Sequence, residues 1–334
     1  MKHKKATISD IARTINVSSI TVSRALRGED GVSKELRDKI IFKAKALGYK
    51  KSKNNVNILI LHEKTNLQDN PNFNFTLQCI ETNLQNRNAE YSIEFVSKDK
   101  QNQKELPYKL LKGNYFDGIL FIGRFNEDYI NFLKSKVKCQ VSYANYSPSL
   151  DCDTVRFDAA NVTYKQCIYL LDNGHRRIGF IGNLSTYILG EKVLGMKAAM
   201  NKYKLQINKE FFIDNKADDF NKKLLKILTL EDRPTAIICQ GDLTALKVIK
   251  LLHENNIKVP EDVSIIGKGN QEVASISIPA LTTIDINIEY SCNSAIDLLM
   301  KRINDSEKPY ENITINGFLI ERDSVKKLTK GEYA

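Results

Sequence analysis

The sequence predicts a small all-α unit followed by an α/β region with parallel sheets, arranged as two tandem lobes. Three short amphipathic segments with a tight break occupy the first 48 residues, and short apolar runs alternate with amphipathic segments from residue 56 onward. Charge separates the same two parts, since residues 1–53 hold 14 Lys/Arg against 5 Asp/Glu in a chain whose net charge is +10. That concentration of positive charge predicts a polyanionic partner for the N-terminal unit.

The composition excludes several classes of protein. No run of 18 apolar residues occurs, and no apolar secretory segment follows the basic start, so the sequence predicts a cytoplasmic protein with no membrane association. The 6 cysteines and 4 histidines are dispersed without a CxxC pair, which favours small buried thiols over a metal or disulfide site. We therefore predict no metal and no cofactor.

The first two helices are predicted from caps and apolar spacing. Thr7 and Asp10 have the spacing of a capping box, and the stripe after them has the i, i+3, i+4, i+7 spacing of a helix: Ile8, Ile11, Ala12 and Ile15. Ser18 has the position of a second N-cap. The helix that follows ends before Gly28, and its inward-facing residues are Val22, Ala25 and Leu26.

The third helix completes a helix-turn-helix arrangement. It is capped by Ser33 and stopped by Gly48, and its predicted buried stripe is Leu36, Ile40, Ala44 and Leu47. The second helix exposes short hydroxyls and guanidinium groups, which suit phosphate oxygens and groove edges. The exposed residues are Ser19, Ile20, Thr21, Ser23, Arg24 and Arg27. The alternative interpretation of this face is an ordinary solvated helix surface.

These motifs resemble the headpiece of LacI/GalR-type transcription regulators. The matching stretches are Thr7-Ile-Ser-Asp-Ile-Ala12, Val17-Ser-Ser-Ile-Thr-Val-Ser-Arg24-Ala-Leu26, Val32-Ser33 and Leu47-Gly48-Tyr49. The resemblance implies that Ser19, Ile20 and Arg24 face bases in the major groove, with Arg24 on a guanine edge and Ile20 on a thymine methyl. It also implies that the phosphates are held by Thr7, Ser18, Thr21 and Ser23.

The linker departs from the family pattern. The family usually has a hinge helix whose leucine enters the minor groove, whereas residues 49–55 of this chain are a short basic stretch leading directly into an apolar run. The chain resembles a branch with a short linker and no hinge helix, and Lys50 and Lys51 are predicted to contact the DNA backbone. We expect weaker DNA kinking and a steeper salt dependence than in relatives with a hinge helix.

The region after residue 56 is predicted to alternate strands and helices. The predicted strands are 56–61, 91–96, 118–122, 139–143, 177–181, 235–239 and 264–266. The predicted helices are 75–87, 128–134, 161–173, 191–203, 243–255 and 290–304. Alternation of this kind gives parallel sheets, with ligands at the carboxyl ends of the strands. The pairs Asp218/Asp219 and Asp151/Asp153 are interpreted as solvated loop carboxylates.

The resemblance extends over nearly the whole chain. It is carried by Asp117-Gly-Ile-Leu-Phe-Ile122, Gly174-His-Arg-Arg-Ile-Gly-Phe-Ile-Gly182, Pro234-Thr-Ala-Ile, Val259-Pro-Glu-Asp-Val-Ser-Ile-Ile-Gly267 and Pro279-Ala-Leu-Thr-Thr-Ile284. It implies a periplasmic-binding-protein-like domain at 56–334, after a DNA-binding domain at 1–48. The first lobe would span about 56–157 and 286–315, and the second about 158–285 and 316–330, with an effector cleft between them. In this comparison His175 is structural.

The predicted effector-binding residues are Phe73, Arg124, Tyr143, Lys192, Asp242, Lys268 and Asn270. Phe73 falls where the family commonly stacks an aromatic ring on a sugar, although a core or rim aromatic is the alternative. Several polar positions typical of sugar-reading relatives are changed, including an acidic residue replaced near Lys268. This weakens the case for a neutral sugar and favours an anionic ligand such as a sugar phosphate, or no ligand.

The function predicted from the sequence is an operator-binding regulator and not an enzyme. No GxxxxGK[ST], HExxH or GxSxG motif occurs, and no acid, base and nucleophile come together, so no catalytic residue is predicted. We expect a homodimeric repressor of a carbohydrate-utilisation operon, bound to double-stranded DNA and modulated by a sugar or sugar derivative. The alternatives are a transport-type sugar-binding protein and a regulator that responds to a non-sugar ligand or to none.

Overall fold

The structure, a computed structural model, describes residues 6–27, 31–49, 56–64, 72–145, 147, 149–186 and 188–329. By compactness the chain divides into one unit of Met1–Arg156 with Glu289–Ile313 and another of Phe157–Ile288 with Thr314–Ala334. We call the first unit from residue 56 onward the first lobe, and the other unit the second lobe. At the points where the chain passes between the lobes, the expected bounds differ from this division by one to three residues.

The headpiece consists of helices α1 (Ile8–Ile15), α2 (Ser19–Arg27) and α3 (Lys34–Ala46). Their apolar stripes meet in a small core that contains the fully buried Ile11, Val22, Ala25 and Ile40. Gly48 adopts a left-handed φ of 64°, and the next N–H, that of Tyr49, bonds the carbonyl of Ala44 at 2.9 Å. This is the geometry in which glycine ends a helix. The prediction that Leu47 is buried was wrong, because this residue caps α3 and is 37% exposed.

The first lobe is built on a six-stranded sheet in the order β11-β5-β4-β3-β1-β2. Its strands are β1 (Asn57–Glu63), β2 (Glu90–Val96), β3 (Gly118–Ile122), β4 (Gln140–Tyr143), β5 (Asp153–Phe157) and β11 (Asn312–Ile315). Its helices are α4 (Phe73–Asn86), α5 (Lys98–Asn102), α6 (Tyr108–Leu111), α7 (Glu127–Lys134) and α13 (Ile288–Asn304). The strands from β1 to β5 pair in parallel, as the alternation of strands and helices predicts.

The second lobe is built on a six-stranded sheet in the order β12-β10-β9-β8-β6-β7. Its strands are β6 (Ile178–Gly182), β7 (Phe212–Asp214), β8 (Ala236–Cys239), β9 (Ser264–Lys268), β10 (Thr283–Asp285) and β12 (Phe318–Ile320). Its helices are α8 (Ala159–Asp172), α9 (Leu189–Lys202), α10 (Phe220–Leu228), α11 (Asp242–Glu254) and α12 (Glu272–Ile276), and Lys209–Phe211 forms a 3-10 turn. The pair β10–β12 is antiparallel, whereas the pairs among β6 to β10 are parallel.

Alternating side chains of the second sheet bury both of its faces. On β8, Ala236 and Ile238 pack on one side, whereas Ile237 and Cys239 pack on the other. A strand presents successive side chains to opposite faces, so an apolar run of this kind needs helices on both sides of the sheet. The carboxyl ends of the parallel strands therefore form the edge at which polar residues can collect.

Asp153 departs from its expected place in a solvated loop. It lies on β5, is fully buried, and accepts two hydrogen bonds from Arg302, at 2.8 and 3.0 Å. Lys308 Nζ lies 2.9 Å from the same carboxylate, and the N–H of Glu311 donates to it at 2.8 Å. Its cationic partners are about 150 residues away along the chain, so no local pattern marks this residue as internal.

Candidate nucleic-acid interface and effector site

The α2 surface presents the predicted base-reading side chains to solvent. Ser19, Ile20 and Arg24 are exposed, whereas Val22 and Ala25 on the opposite face are fully buried. Ile20 is 67% exposed, so its apolar side chain is accessible to a partner surface. The helix therefore offers an apolar group, a hydroxyl and a guanidinium group on one accessible side.

The predicted phosphate-contacting residues sit at helix caps. Thr7 and Asp10 form the reciprocal capping box, in which the backbone N–H of Thr7 donates to the Asp10 carboxylate at 2.9 Å. The Ser18 hydroxyl accepts a hydrogen bond from the N–H of Thr21 at 3.0 Å and contacts the Thr21 hydroxyl at 2.8 Å. These caps confirm the predicted helix starts and hold two of the proposed DNA-contacting hydroxyls, Ser18 and Thr21, in fixed positions.

The remaining predicted DNA contacts lie on α2 or in the linker that follows the headpiece. Ser23 is half-buried on α2, and the backbone of Arg27 ends that helix. Lys50 and Lys51 lie outside the described residues. The same holds for the predicted linker, residues 49–55, except for its first residue. The roles of all of these residues remain predictions.

In the first lobe, Phe73 begins α4 and belongs to an aromatic cluster. Its ring stands edge-on to His62 at a centroid distance of 4.5 Å and lies 5.9 Å from the ring of Phe95. Sequence reasoning missed His62, although the residue is the penultimate one of the apolar strand β1, near the carboxyl edge of the sheet. It is 4% exposed, and its Nδ1 lies 2.6 Å from the carbonyl of Glu63. Burial lowers the pKa of His62, so its neutral form is favoured.

Arg124 and Tyr143, the other first-lobe candidates, have internal contacts. The N–H of Arg124 donates to the buried carboxylate of Glu63 at 2.6 Å, and its side chain is exposed. Tyr143 ends β4 and is 7% exposed, with its hydroxyl against Cys292 and Ser291. Burial raises the pKa of Tyr143, and these neighbours account for its hydroxyl without a ligand.

In the second lobe, Asp242 opens α11 and is held from two sides. Its Oδ1 accepts from the Thr283 hydroxyl at 2.5 Å, and its Oδ2 accepts from the N–H of Gln271 at 2.8 Å. Gly267 permits this approach, because a Cβ at that position would lie 2.4 Å from the Asp242 carboxylate. Burial raises the pKa of Asp242, and the two hydrogen bonds offset only part of that rise.

Asn270 and Lys268 flank the same turn but differ in their partners. The Asn270 amide donates to Asp285 at 2.9 Å and accepts from Arg322 at 2.7 Å. Lys268 ends β9, and its Nζ lies 4.6 Å from the centroid of the Phe157 ring. Sequence reasoning missed Asp285 and Arg322, because the antiparallel strand pair that brings them to this turn is only three residues long.

Lys192 is the remaining second-lobe candidate. It lies on α9, is 7% exposed, and has its Nζ 5.7 Å from the centroid of the Phe180 ring. This separation is within the range of a cation–π contact. The position is therefore inside the lobe rather than on a solvated helix face.

No group of three or more His, Cys, Asp or Glu residues in the described ranges has the arrangement of a metal site. No helix within them is long and apolar enough to cross a membrane. His175, expected to be structural, is fully buried, with its Nδ1 3.0 Å from the Thr235 hydroxyl and its Nε2 3.1 Å from the carbonyl of Lys326.

Comparison with known families assigns both parts of the chain. Residues 7–52 match the family described as bacterial regulatory proteins, lacI family, and residues 168–325 match the periplasmic binding protein-like domain. The chain is a LacI-family helix-turn-helix domain joined to a periplasmic-binding-protein-like domain. The predicted family and fold class are thereby confirmed, and the protein is a DNA-binding regulator of this family.

Individual relatives of this LacI-family chain span its full length. The HTH-type transcriptional repressor PurR of Histophilus somni (strain 2336) is 28% identical, and the alignment covers 97% of this chain and 100% of that protein. A transcriptional regulator CelR–cellobiose complex matches with a TM-score of 0.69 at 21% identity, covering 96% of this chain and all of that one. The Lac repressor dimer bound to operator and the anti-inducer ONPF matches with a TM-score of 0.67 at 19% identity, covering 97% and 100%.

Proposed function

We propose that this LacI-family protein is a transcriptional repressor that reads duplex DNA with α2. The observation that carries the proposal is the exposure of Ser19, Ile20 and Arg24 on a helix whose other face, with Val22 and Ala25, is fully buried. An exposed recognition helix held by two others can enter the major groove, where each base pair presents its own pattern of donors and acceptors. The repressor named PurR, similar over the whole length of the chain, supports repression as the outcome.

Selective DNA binding tests the proposal directly. Gel shifts with competing genomic fragments, followed by footprinting, should show retention of a limited set of sites. Arg24→Ala should lose about 1–3 kcal/mol of discrimination between the preferred site and a variant with one substituted base pair. Arg13→Ala is the matched control, since Arg13 is an exposed arginine of α1 outside the proposed reading face.

The two arginine variants separate base reading from general attraction to DNA. Both remove one positive charge, so both should weaken binding to unrelated DNA by similar amounts. Only Arg24→Ala should flatten the ranking of sites. Equal selectivity in wild type and Arg24→Ala would overturn the assignment of α2 as the reading helix.

A homodimer is the proposed functional unit. Large apolar side chains are exposed on each lobe, including Phe75 on α4 and Ile276 and Ile278 near α12, with Ile278 92% exposed. A second copy of the chain would cover such side chains, and the similar Lac repressor was solved as a dimer bound to operator. Sedimentation should give a dimer, and Ile278→Asp should shift it towards monomer; a wild-type monomer at operator-binding concentrations contradicts this proposal.

A small-molecule effector acting on the periplasmic-binding-protein-like domain is the second part of the proposed function. A sugar or sugar derivative is the proposed class, supported by the cellobiose complex of a structurally similar regulator. Addition of the effector should change operator affinity by about 5- to 150-fold, the usual range of allosteric coupling. Gel shifts at increasing concentrations of candidate sugars test this; unchanged affinity with all of them would remove the sugar effector from the proposal.

A further inference from the structure

Lys268 ends β9 at the carboxyl edge of the second sheet, where ligands bind in folds of this architecture. Its side chain is half-buried, and its ammonium group lies 4.6 Å from the ring of Phe157, the first residue of the second lobe. Within the described ranges, that ammonium group makes no hydrogen bond to an oxygen and no ion pair within 4.0 Å. The aromatic contact stabilises the charge only in part, because an ammonium group has three donors to satisfy.

The neighbouring carboxylates already have partners. Both oxygens of Asp242 accept hydrogen bonds, one from Thr283 and one from the N–H of Gln271. Both oxygens of Asp285 also accept, one from the Asn270 amide at 2.9 Å and one from the N–H of Asn287 at 2.7 Å. One acceptor site on each of these four oxygens is therefore already used within the lobe.

The two cationic side chains at this edge of the sheet differ in their hydrogen-bond partners. Arg322 is fixed, since it donates to Asn270 at 2.7 Å and to the carbonyl of Leu281 at 2.8 Å. Within the described ranges, the ammonium group of Lys268 has no hydrogen bond of this kind. Burial lowers the pKa of Lys268, and the charge of Asp242 opposes that shift. A bound anion would relieve the same cost of burying the ammonium group.

We propose that Lys268 binds a negatively charged group of the effector, a phosphate ester or a carboxylate carried by a small hydroxylated molecule. This inference rests on the proposed effector function and specifies the ligand class. Phe157 forms an apolar wall under the ammonium group, and the fixed Asn270–Arg322 pair lies on the turn that follows Lys268. A neutral sugar lacks the group that would pair with Lys268.

Calorimetric titration of the full chain tests the inference with four probes: ribose, ribose 5-phosphate, gluconate and inorganic phosphate. Ribose 5-phosphate or gluconate should bind at least tenfold more tightly than ribose. Tighter binding of ribose 5-phosphate identifies a phosphate ester as the preferred group, and tighter binding of gluconate identifies a carboxylate. Tighter binding of the preferred probe than of inorganic phosphate shows that the hydroxylated part of the molecule is also recognised.

Variants assign the binding to Lys268. Lys268→Met should weaken the preferred anion by about 10- to 100-fold, the size expected for one charge-assisted hydrogen bond, and Lys268→Arg should retain most of the affinity. Lys222→Met, which removes an exposed lysine of α10, is the matched control and should bind as wild type. Lys268→Gln, which keeps a polar donor but no charge, serves as the second variant if the methionine variant does not unfold cooperatively.

The outcomes separate this inference from the proposed function. Equal binding of ribose and the anions, no binding of either anion, or anion binding that the uncharged variants retain would overturn the role of Lys268. Retained binding of that kind would place the anion on another part of the chain. If ribose or another neutral sugar still changed operator affinity in a gel shift, the proposed effector function would stand while this inference failed.

Discussion

Each lobe buries an aspartate at its sheet, and the two aspartates have opposite electrostatics. Asp153 in the first lobe lies between Arg302 and Lys308, and their hydrogen bonds outweigh the burial that would otherwise raise its pKa, so the pKa is lowered. Asp242 in the second lobe accepts hydrogen bonds from neutral donors, and burial raises its pKa although the charges of Lys268 and Arg322 oppose that rise. Burial alone therefore does not define the role of a carboxylate. A carboxylate that forms ion pairs, such as Asp153, stabilises the fold. A carboxylate without them, such as Asp242, leaves a neighbouring cation available for a ligand.

The largest loss of stability is expected when the charge of Asp153 is removed. Asp153→Asn leaves the buried Arg302 without its counter-ion, whereas Lys308 keeps its ion pair with Glu311 at 2.9 Å. We expect a loss of about 3–5 kcal/mol in the free energy of unfolding. Urea denaturation followed by circular dichroism measures this change. Asp151→Asn, a neighbouring exposed aspartate, is the control and should unfold as wild type; similar loss in both variants would contradict the structural role of Asp153.

The pH dependence of Asp153 has a definite sign. Its folded pKa is lowered, so its stabilising contribution is complete above the pKa of an unfolded aspartate, about 3.9, and is lost as the pH falls through the lower folded value. The difference in stability between wild type and Asp153→Asn should therefore shrink below about pH 4. A difference that grows on acidification would reverse the assignment.

Asp242→Asn should have an intermediate effect. The amide can accept only one of the two hydrogen bonds that the carboxylate now accepts, and one buried donor is left facing an NH₂ group. We expect a loss of about 1–3 kcal/mol near neutral pH. Because the folded pKa of Asp242 is raised, wild type should gain stability relative to the variant as the pH falls through that pKa, opposite to Asp153. If the stability differences of the two variants changed with pH in the same direction, the opposite electrostatics of the two aspartates would be contradicted. Asp218→Asn is the exposed control.

Thr283→Val should have a smaller effect on stability than Asp242→Asn. The substitution removes the hydroxyl that donates to Asp242 at 2.5 Å but preserves the side-chain shape and the N–H donor of Gln271. We expect a loss of about 1 kcal/mol, the net value of one buried hydrogen bond. Thr229→Val at the exposed end of α10 is the control, and thermal unfolding of both variants gives the difference.

The smallest effect is expected for an ion pair on the surface. Lys138 and Glu307 are paired, but their side chains are 56% and 78% exposed. Solvent and salt screen such a pair, so Glu307→Gln should unfold within experimental error of wild type in the same denaturation series. A loss comparable to that of Asp153→Asn would show that burial does not govern the strength of these ion pairs.

Sequence reasoning predicted the headpiece closely because its signals are local. The Thr7 box, the Ser18 cap and the apolar spacing of α1 to α3 all act within a few residues, and each is present in the structure. The long apolar strands of both lobes were also predicted, to within a residue or two at most ends. Leu47 was misplaced because a helix stripe continues past the residue at which Gly48 ends the helix.

The missed elements have three to five residues each, apart from α10 with nine. The strands β5, β7, β10, β11 and β12 were not predicted, and neither were the helices α5, α6, α10 and α12. A strand of three residues such as β10 has too few positions for its alternation to be recognised. Its pairing with β12 depends on a partner more than 30 residues away, so its strand character comes from context rather than from its own residues.

The sequence alone determined the order of the domains, the helix-turn-helix and the two α/β lobes, since caps, periodicity and local charge act over a few residues. Tertiary structure decided which charges are used internally. It paired Asp153 with Arg302, engaged both oxygens of Asp242, and left Lys268 against an aromatic ring without an oxygen partner in the described chain. The physical reason is that desolvation and ion pairing depend on neighbours brought together by folding, at separations that no local pattern encodes.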